Sequence, residues 1–253
     1  MEELKQKIIR YAKPDSGVLH ILDGLVSPGD TVVLVTPIDA AAPKGRLILP
    51  QQQVLRDVLD ADAVALVTKE FQLKEALAGL QQRPAMVITD SQVFGRVAAD
   101  VPEEIPLTSF SILMARYKGL LETAVRGVAA IDRLRDGDRI LVAEGCTHHR
   151  QCEDIGTVKL PAWLRRHTGK ELHFETASGT GFPENLRPYS LVLHCGGCML
   201  NEREVQHRMR SAVEQGVPIT NYGTAIAFVQ GILRRSLSLF PELLRLLDGT
   251  ERS

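Results

Sequence analysis

Apolar and polar positions alternate along this chain in short blocks of two periods. Thr31–Val35 (TVVLV) is a β-branched run behind a Pro-Gly-Asp turn and reads as a strand buried on both faces. Residues 37–50, with Pro37, Pro43, Pro50 and a Lys-Gly-Arg, read as a loop. Val54, Leu55, Val58 and Leu59 then repeat at helical spacing, which predicts a helix over Gln51–Leu59. Strands follow at Ala63–Thr68, Met86–Thr89 and Ile105–Thr108, separated by helices at Glu70–Leu80 and Gln92–Ala99. From Phe110 to Ile131 apolar residues keep a 3.6-residue period, so one long amphipathic helix is expected, ending near Asp136-Gly137. The second half repeats the alternation. Strands are expected at Arg139–Ala143, Glu171–Thr176, Ser190–His194 and Val217–Thr220. Helices are expected at Pro161–Arg166, Glu202–Glu214, Gly223–Leu233 and Pro241–Leu247. Strands that are apolar throughout and alternate with helices predict an α/β fold of two consecutive domains, each a mainly parallel β-sheet flanked by helices. The domain boundary is expected just before the long helix, giving residues 1–108 and 109–253.

Composition narrows the class. At 253 residues, 44% hydrophobic and 24% charged, the chain is long enough to bury a core without disulfides. Thirty Lys and Arg against 31 Asp and Glu leave a net charge of −1, so no global basic field exists to hold nucleic acid or an anionic membrane. No apolar run spans a bilayer, and the charged, amphipathic first 13 residues lack the apolar core of a secretory signal. The expected compartment is the cytoplasm. All four cysteines, Cys146, Cys152, Cys195 and Cys198, fall in the second half near histidines. In a reducing compartment such clustering points to metal or redox chemistry rather than cross-linking.

Two motifs carry that chemistry. One is Glu144-Gly-Cys146-Thr-His148-His149-Arg-Gln-Cys152, the other His194-Cys195-Gly-Gly-Cys198, and each begins where an apolar strand runs out. In an open parallel sheet the carboxyl ends of the strands share one edge, where ligands bind, so the two can converge. A Cys-x-x-Cys turn brings two thiolates to one metal, and the intervening glycines permit dihedrals that a side chain forbids. Asn201 is a good N-cap for the next helix, whose N-terminus stabilises thiolates and an anionic guest. Three thiolates, Cys146, Cys195 and Cys198, suit an iron–sulfur cluster with an exchangeable fourth ligand, for which His148 and His194 are the candidates. Three other readings stay open: a tetrahedral zinc site from Cys146, His148, Cys195 and Cys198, a dithiol redox pair at Cys195 and Cys198, and cysteines acting as small buried hydrophobes.

Cys152 and His149 read as neighbours of the site, and Asp154 and Lys159 as residues that orient its loop. Asn221-Tyr222-Gly223 follows another strand and is either a helix cap or a support of the same crevice. Trp163 reads as core. No Walker loop, dinucleotide fingerprint or nucleophile elbow occurs, and the first half holds no catalytic constellation, which predicts a scaffold or association surface rather than an enzyme.

On these motifs the chain resembles a known family. EGCTHHRQCEDIGTVKLPAWL, HCGGCMLN and GVPITNYGTAIAF look like the cluster-binding domain of HydF, the FeFe-hydrogenase maturation GTPase. PIDAAAPKGRLILPQ, VITDSQVF and DVPEEIPLTSFSILMARYKG are similar to that family's dimerisation domain. The resemblance implies a dimerisation domain over 1–108 and a cluster-binding domain over 109–253. It also implies a 4Fe–4S cluster on Cys146, Cys195 and Cys198, with an exchangeable position near His148 and His194. The implied role is that of a homodimeric scaffold and carrier. Such a carrier receives the diiron subcluster precursor from two radical-SAM maturases and delivers it to apo FeFe-hydrogenase. HydF proteins normally begin with a GTPase domain, which these residues do not include, so GTP binding and hydrolysis are not carried over.

Overall fold

The computed structural model describes residues 20–37, 47–145, 155–179, 181–197 and 200–251. In the first half the elements run β1 (Thr31–Val35), α1 (Leu49–Asp60), β2 (Val64–Thr68), α2 (Leu73–Ala78), β3 (Met86–Thr89), α3 (Phe94–Asp100), β4 (Leu107–Ser109), α4 (Phe110–Tyr117) and α5 (Leu121–Val128). The second half runs β5 (Arg139–Glu144), α6 (Leu160–Thr168), β6 (His173–Ser178), β7 (Leu191–His194), α7 (Glu202–Glu214), β8 (Ile219–Asn221), α8 (Tyr222–Val229), α9 (Leu233–Ser236) and α10 (Pro241–Glu251). The strands form two four-stranded sheets, ordered β2-β1-β3-β4 and β6-β5-β7-β8, and every pairing is parallel. The inner strands are apolar and buried along most of their length, with polar residues only at their ends, as sheets covered on both faces require. Among the described residues no helix is long and apolar enough to cross a membrane.

In each sheet the chain lays down two strands, then crosses to the far side of the first. The strand order therefore reverses between β1 and β3, and again between β5 and β7. Such reversals open a crevice beyond the carboxyl ends of the two strands. The halves are fused by a shared core that runs from Val32 and Ile88 through Phe110 and Ile131 to Ile140 and Phe240. α5 approaches the edge strand β8 closely: a Cβ at Gly127 would overlap the Ile219 carbonyl and lie 2.6 Å from its carbon.

The long helix expected from Phe110 onward is instead two helices with a short 3₁₀ turn, Ile131–Arg133, behind them. Gly119, at φ +68°, ends α4 in the left-handed region, and the chain restarts at Leu121. The apolar period survives the break because both helices bury the same side of the chain, so periodicity alone hides it. Gly231, at φ +73°, likewise separates α8 from α9 inside the segment expected as one helix.

Candidate metal centre

β5 and β7 are direct neighbours, with Ala143 opposite His194, so their carboxyl ends lie side by side at the strand-order reversal. The ladder continues one step further, the Cys195 N–H donating to the Ala143 carbonyl at 2.8 Å. The Cys195 sulfur then accepts two backbone N–H groups, from Gly145 at 3.0 Å and from Gly197 at 3.3 Å. One donor comes from each strand-end loop. Hydrogen bonds to the charged form stabilise a thiolate, which is the form that binds metal. Gly197 sits at φ +59° with Val205 pressed against the position of its missing Cβ, so glycine is required there twice over.

His194 is fully buried at the end of β7, on the α7 side of the sheet, with Phe182 and Val205 as neighbours. Its Nδ1 lies 2.6 Å from the Cys195 carbonyl, which only accepts, so Nδ1 carries the proton. The lone pair is then on Nε2, and Nε2 is buried with no hydrogen-bond partner among the described residues. Histidine ligands of metals are commonly held this way, one ring N–H on a backbone carbonyl and the other nitrogen at the metal. Burial pushes the His194 pKa down to about 4, helped by the nearby charges of Arg208 and Lys118 against the opposing pull of the Cys195 carbonyl and Glu204. The ring is therefore neutral at physiological pH and its lone pair is available.

Two basic residues lie close by. Lys118, between α4 and Gly119, is buried and donates to the Gly197 carbonyl at 2.8 Å and the Gly196 carbonyl at 3.4 Å. Arg208 on α7 lies 5.0 Å over the Phe182 ring and is tied to Glu204 at 2.8 Å. Asn201 caps α7 as expected, its side chain accepting from the Glu204 N–H at 2.8 Å. A sulfur with two N–H donors, a buried imidazole with an open lone pair and flanking cations fit an anionic, sulfur-bound guest.

Cys146, His148 and Cys198, with Cys152, His149 and Asp154, lie outside the described residues. Among the described residues no three metal-ligating side chains come together. The other residues singled out by sequence fall as follows. Asn221 caps α8, accepting from the Thr224 N–H at 2.7 Å. Tyr222 reaches under the β5 end, where a Cβ at Gly156 would overlap its hydroxyl and stand 2.8 Å from Glu144 Oε1. Lys159 donates to Gln92 of the first half at 3.2 Å. Trp163 packs on the core.

Sequence reasoning missed the contribution of the first half. A cavity of about 120 Å³ abuts Gly196 and is walled by Ile48, Pro50, Phe110, Met114, Ser91 and Ser111. Ser91 and Ser111 share a hydrogen bond of 2.6 Å beneath α8, where a Cβ at Gly223 would overlap the Ser111 hydroxyl. The signal was present in part, since Asp90-Ser91 follows β3 and Ser109 ends β4, much as the Cys and His motifs lie at the ends of β5 and β7. Lys118 gave none.

Two parallel sheets, each reversing its strand order over a crevice, define a two-domain open α/β protein. Residues 21–119 match the hydrogen maturase F dimerization domain, and residues 122–239 match the hydrogen maturase F tetramerization domain. The chain belongs to the hydrogen maturase F (HydF) family, carries its oligomer-forming domains, and takes part in hydrogenase maturation. The seam between the matches falls at the break between α4 and α5. No curated protein matches the chain.

Proposed function

We propose that the chain is a scaffold and carrier in H-cluster maturation. Cys146, Cys195 and Cys198 would hold a 4Fe–4S cluster, with His194 or His148 as the exchangeable fourth ligand. The bound cluster would supply an iron with one labile position, which suits the docking of another metal complex. The diiron subcluster precursor is then cargo, taken from the radical-SAM maturases and passed by a homodimer to apo FeFe-hydrogenase. The observation that carries this reading is the Cys195 sulfur at the β5–β7 reversal, receiving one N–H from each of the two strand-end loops. The family match supports the same reading. What the chain itself contributes is a sulfur held by two backbone N–H groups, a neutral imidazole and the nearby Lys118 and Arg208.

Anaerobic reconstitution with iron and sulfide, followed by metal counting and EPR of the reduced protein, tests this. Iron and acid-labile sulfide in equal amounts, with a signal lost in Cys195→Ala, are expected. Zinc without sulfide would replace the carrier with a zinc-binding interaction module, and disulfide reductase turnover lost on changing Cys195 would replace it with a thiol–disulfide redox protein.

A further inference from the structure

The sulfur turn is gripped from behind by a residue of the other half. Lys118 follows α4, the last helix inside the match to the dimerization domain, and its side chain runs inward to 8% exposure. Its ammonium meets the Gly196 carbonyl at 3.4 Å and the Gly197 carbonyl at 2.8 Å. The Gly196 carbonyl and the Gly197 N–H belong to one trans peptide group and point in opposite directions. That N–H is the one donated to the Cys195 sulfur at 3.3 Å. A continuous path therefore runs from ammonium to carbonyl oxygen, through the peptide, to N–H and sulfur. A cation at the oxygen polarises the peptide and strengthens the donor at its other end, more so away from water.

We propose that Lys118 is a positioning residue for the sulfur site: it orients and polarises the Gly196–Gly197 peptide and supplies counter-charge to the guest from across the domain seam. Its part in tuning a bound cluster rests on the carrier reading above; its action on the peptide does not. Two consequences separate these. In the protein without metal, the Gly197 amide proton is drawn downfield by its bond to sulfur and depends on Lys118. In the loaded protein, hydrogen bonds and positive charge near the sulfurs raise the reduction potential.

The test uses the full chain in wild-type, Lys118→Met and Lys118→Arg forms. Methionine matches the lysine stem in volume and removes a buried charge, so folding is retained, while arginine keeps the charge. With ¹³C,¹⁵N labelling, and the Gly197 peak assigned by its sequential connection through Gly196 to Cys195, the amide proton is expected to move upfield in Lys118→Met and to stay near its wild-type position in Lys118→Arg. After reconstitution, an EPR-monitored redox titration is expected to give a more negative potential for Lys118→Met and a wild-type value for Lys118→Arg. A Gly197 resonance unmoved by methionine, or moved equally by both substitutions, overturns the proposal. A wild-type protein that takes up no iron removes the carrier reading and leaves the amide experiment to decide the role of Lys118.

Discussion

His194 shows how one side chain links stability to chemistry. Its ring is sealed at the end of β7, with Nδ1 on a backbone carbonyl and burial holding its pKa near 4 against an ordinary value of 6.5. The unfolded chain takes up a proton at this residue as pH falls through 6.5, whereas the folded chain does so only near 4. Between those values the unfolded state binds more protons, so acidification destabilises the metal-free fold. The contribution is complete below the lower value, on the order of 3 kcal/mol from one fully buried group. Urea unfolding followed from pH 7 to pH 4 is expected to show this loss in the wild type and a flatter profile in His194→Gln. Superimposable profiles for the two proteins would rule out the buried neutral imidazole as the source. The position of His194 and Cys195 was legible because an apolar strand visibly runs out into them. Lys118 was not legible, since a lysine before a glycine at a helix end reads as a solvated last turn, and only the folding of α4 against α7 turns it inward.

At the scale of elements, the close contact of α5 with β8 rests on the absence of a single methyl group. Gly127 is the penultimate residue of α5, and glycine costs up to about 1 kcal/mol relative to alanine in an exposed helix. Here a Cβ would instead lie 2.6 Å from the Ile219 carbonyl carbon, on a strand whose backbone cannot yield without moving Asn221 and α8. Overpacking of this kind destabilises by about 1–3 kcal/mol, which outweighs the gain in helix propensity. Gly127→Ala is therefore expected to lower the urea midpoint at unchanged m-value; a more stable variant would mean that α5 and β8 are free to separate. The same region marks the boundary of what pattern can reveal. The strands were legible because continuous apolar runs between turn residues have few alternatives. The break at Gly119 and the contact at Gly127 were not, because both glycines sit inside an unbroken apolar period and their roles are set by a left-handed turn in one case and a neighbouring strand in the other.

For the whole molecule, the open question is where two copies meet, and the first sheet offers an edge suited to it. β2 is the outer strand of that sheet, and its Val64 and Val67 are 56% and 43% exposed, with Phe71 just beyond at 65%. An apolar edge strand left bare is an aggregation hazard unless another chain covers it. In a chain carrying the dimerization domain of its family, the expected cover is β2 of a second copy, joining two sheets into one. The ladder within the sheet shows which groups are available. The Val64 N–H donates to Asp30 and the Thr68 carbonyl accepts from Thr36, so positions 64, 66 and 68 bond inward to β1. By alternation Ala65 and Val67 turn their N–H and C=O groups outward. Proline at 67 thus removes an outward donor without breaking a bond to β1, and an edge strand tolerates it. Val67→Pro is expected to shift the light-scattering mass at micromolar concentration from the assembled form toward the monomer, with iron uptake at the distant β5–β7 crevice unchanged. A variant that keeps the wild-type mass would place the seam elsewhere. Loss of iron together with assembly would show that the sulfur site depends on a second copy.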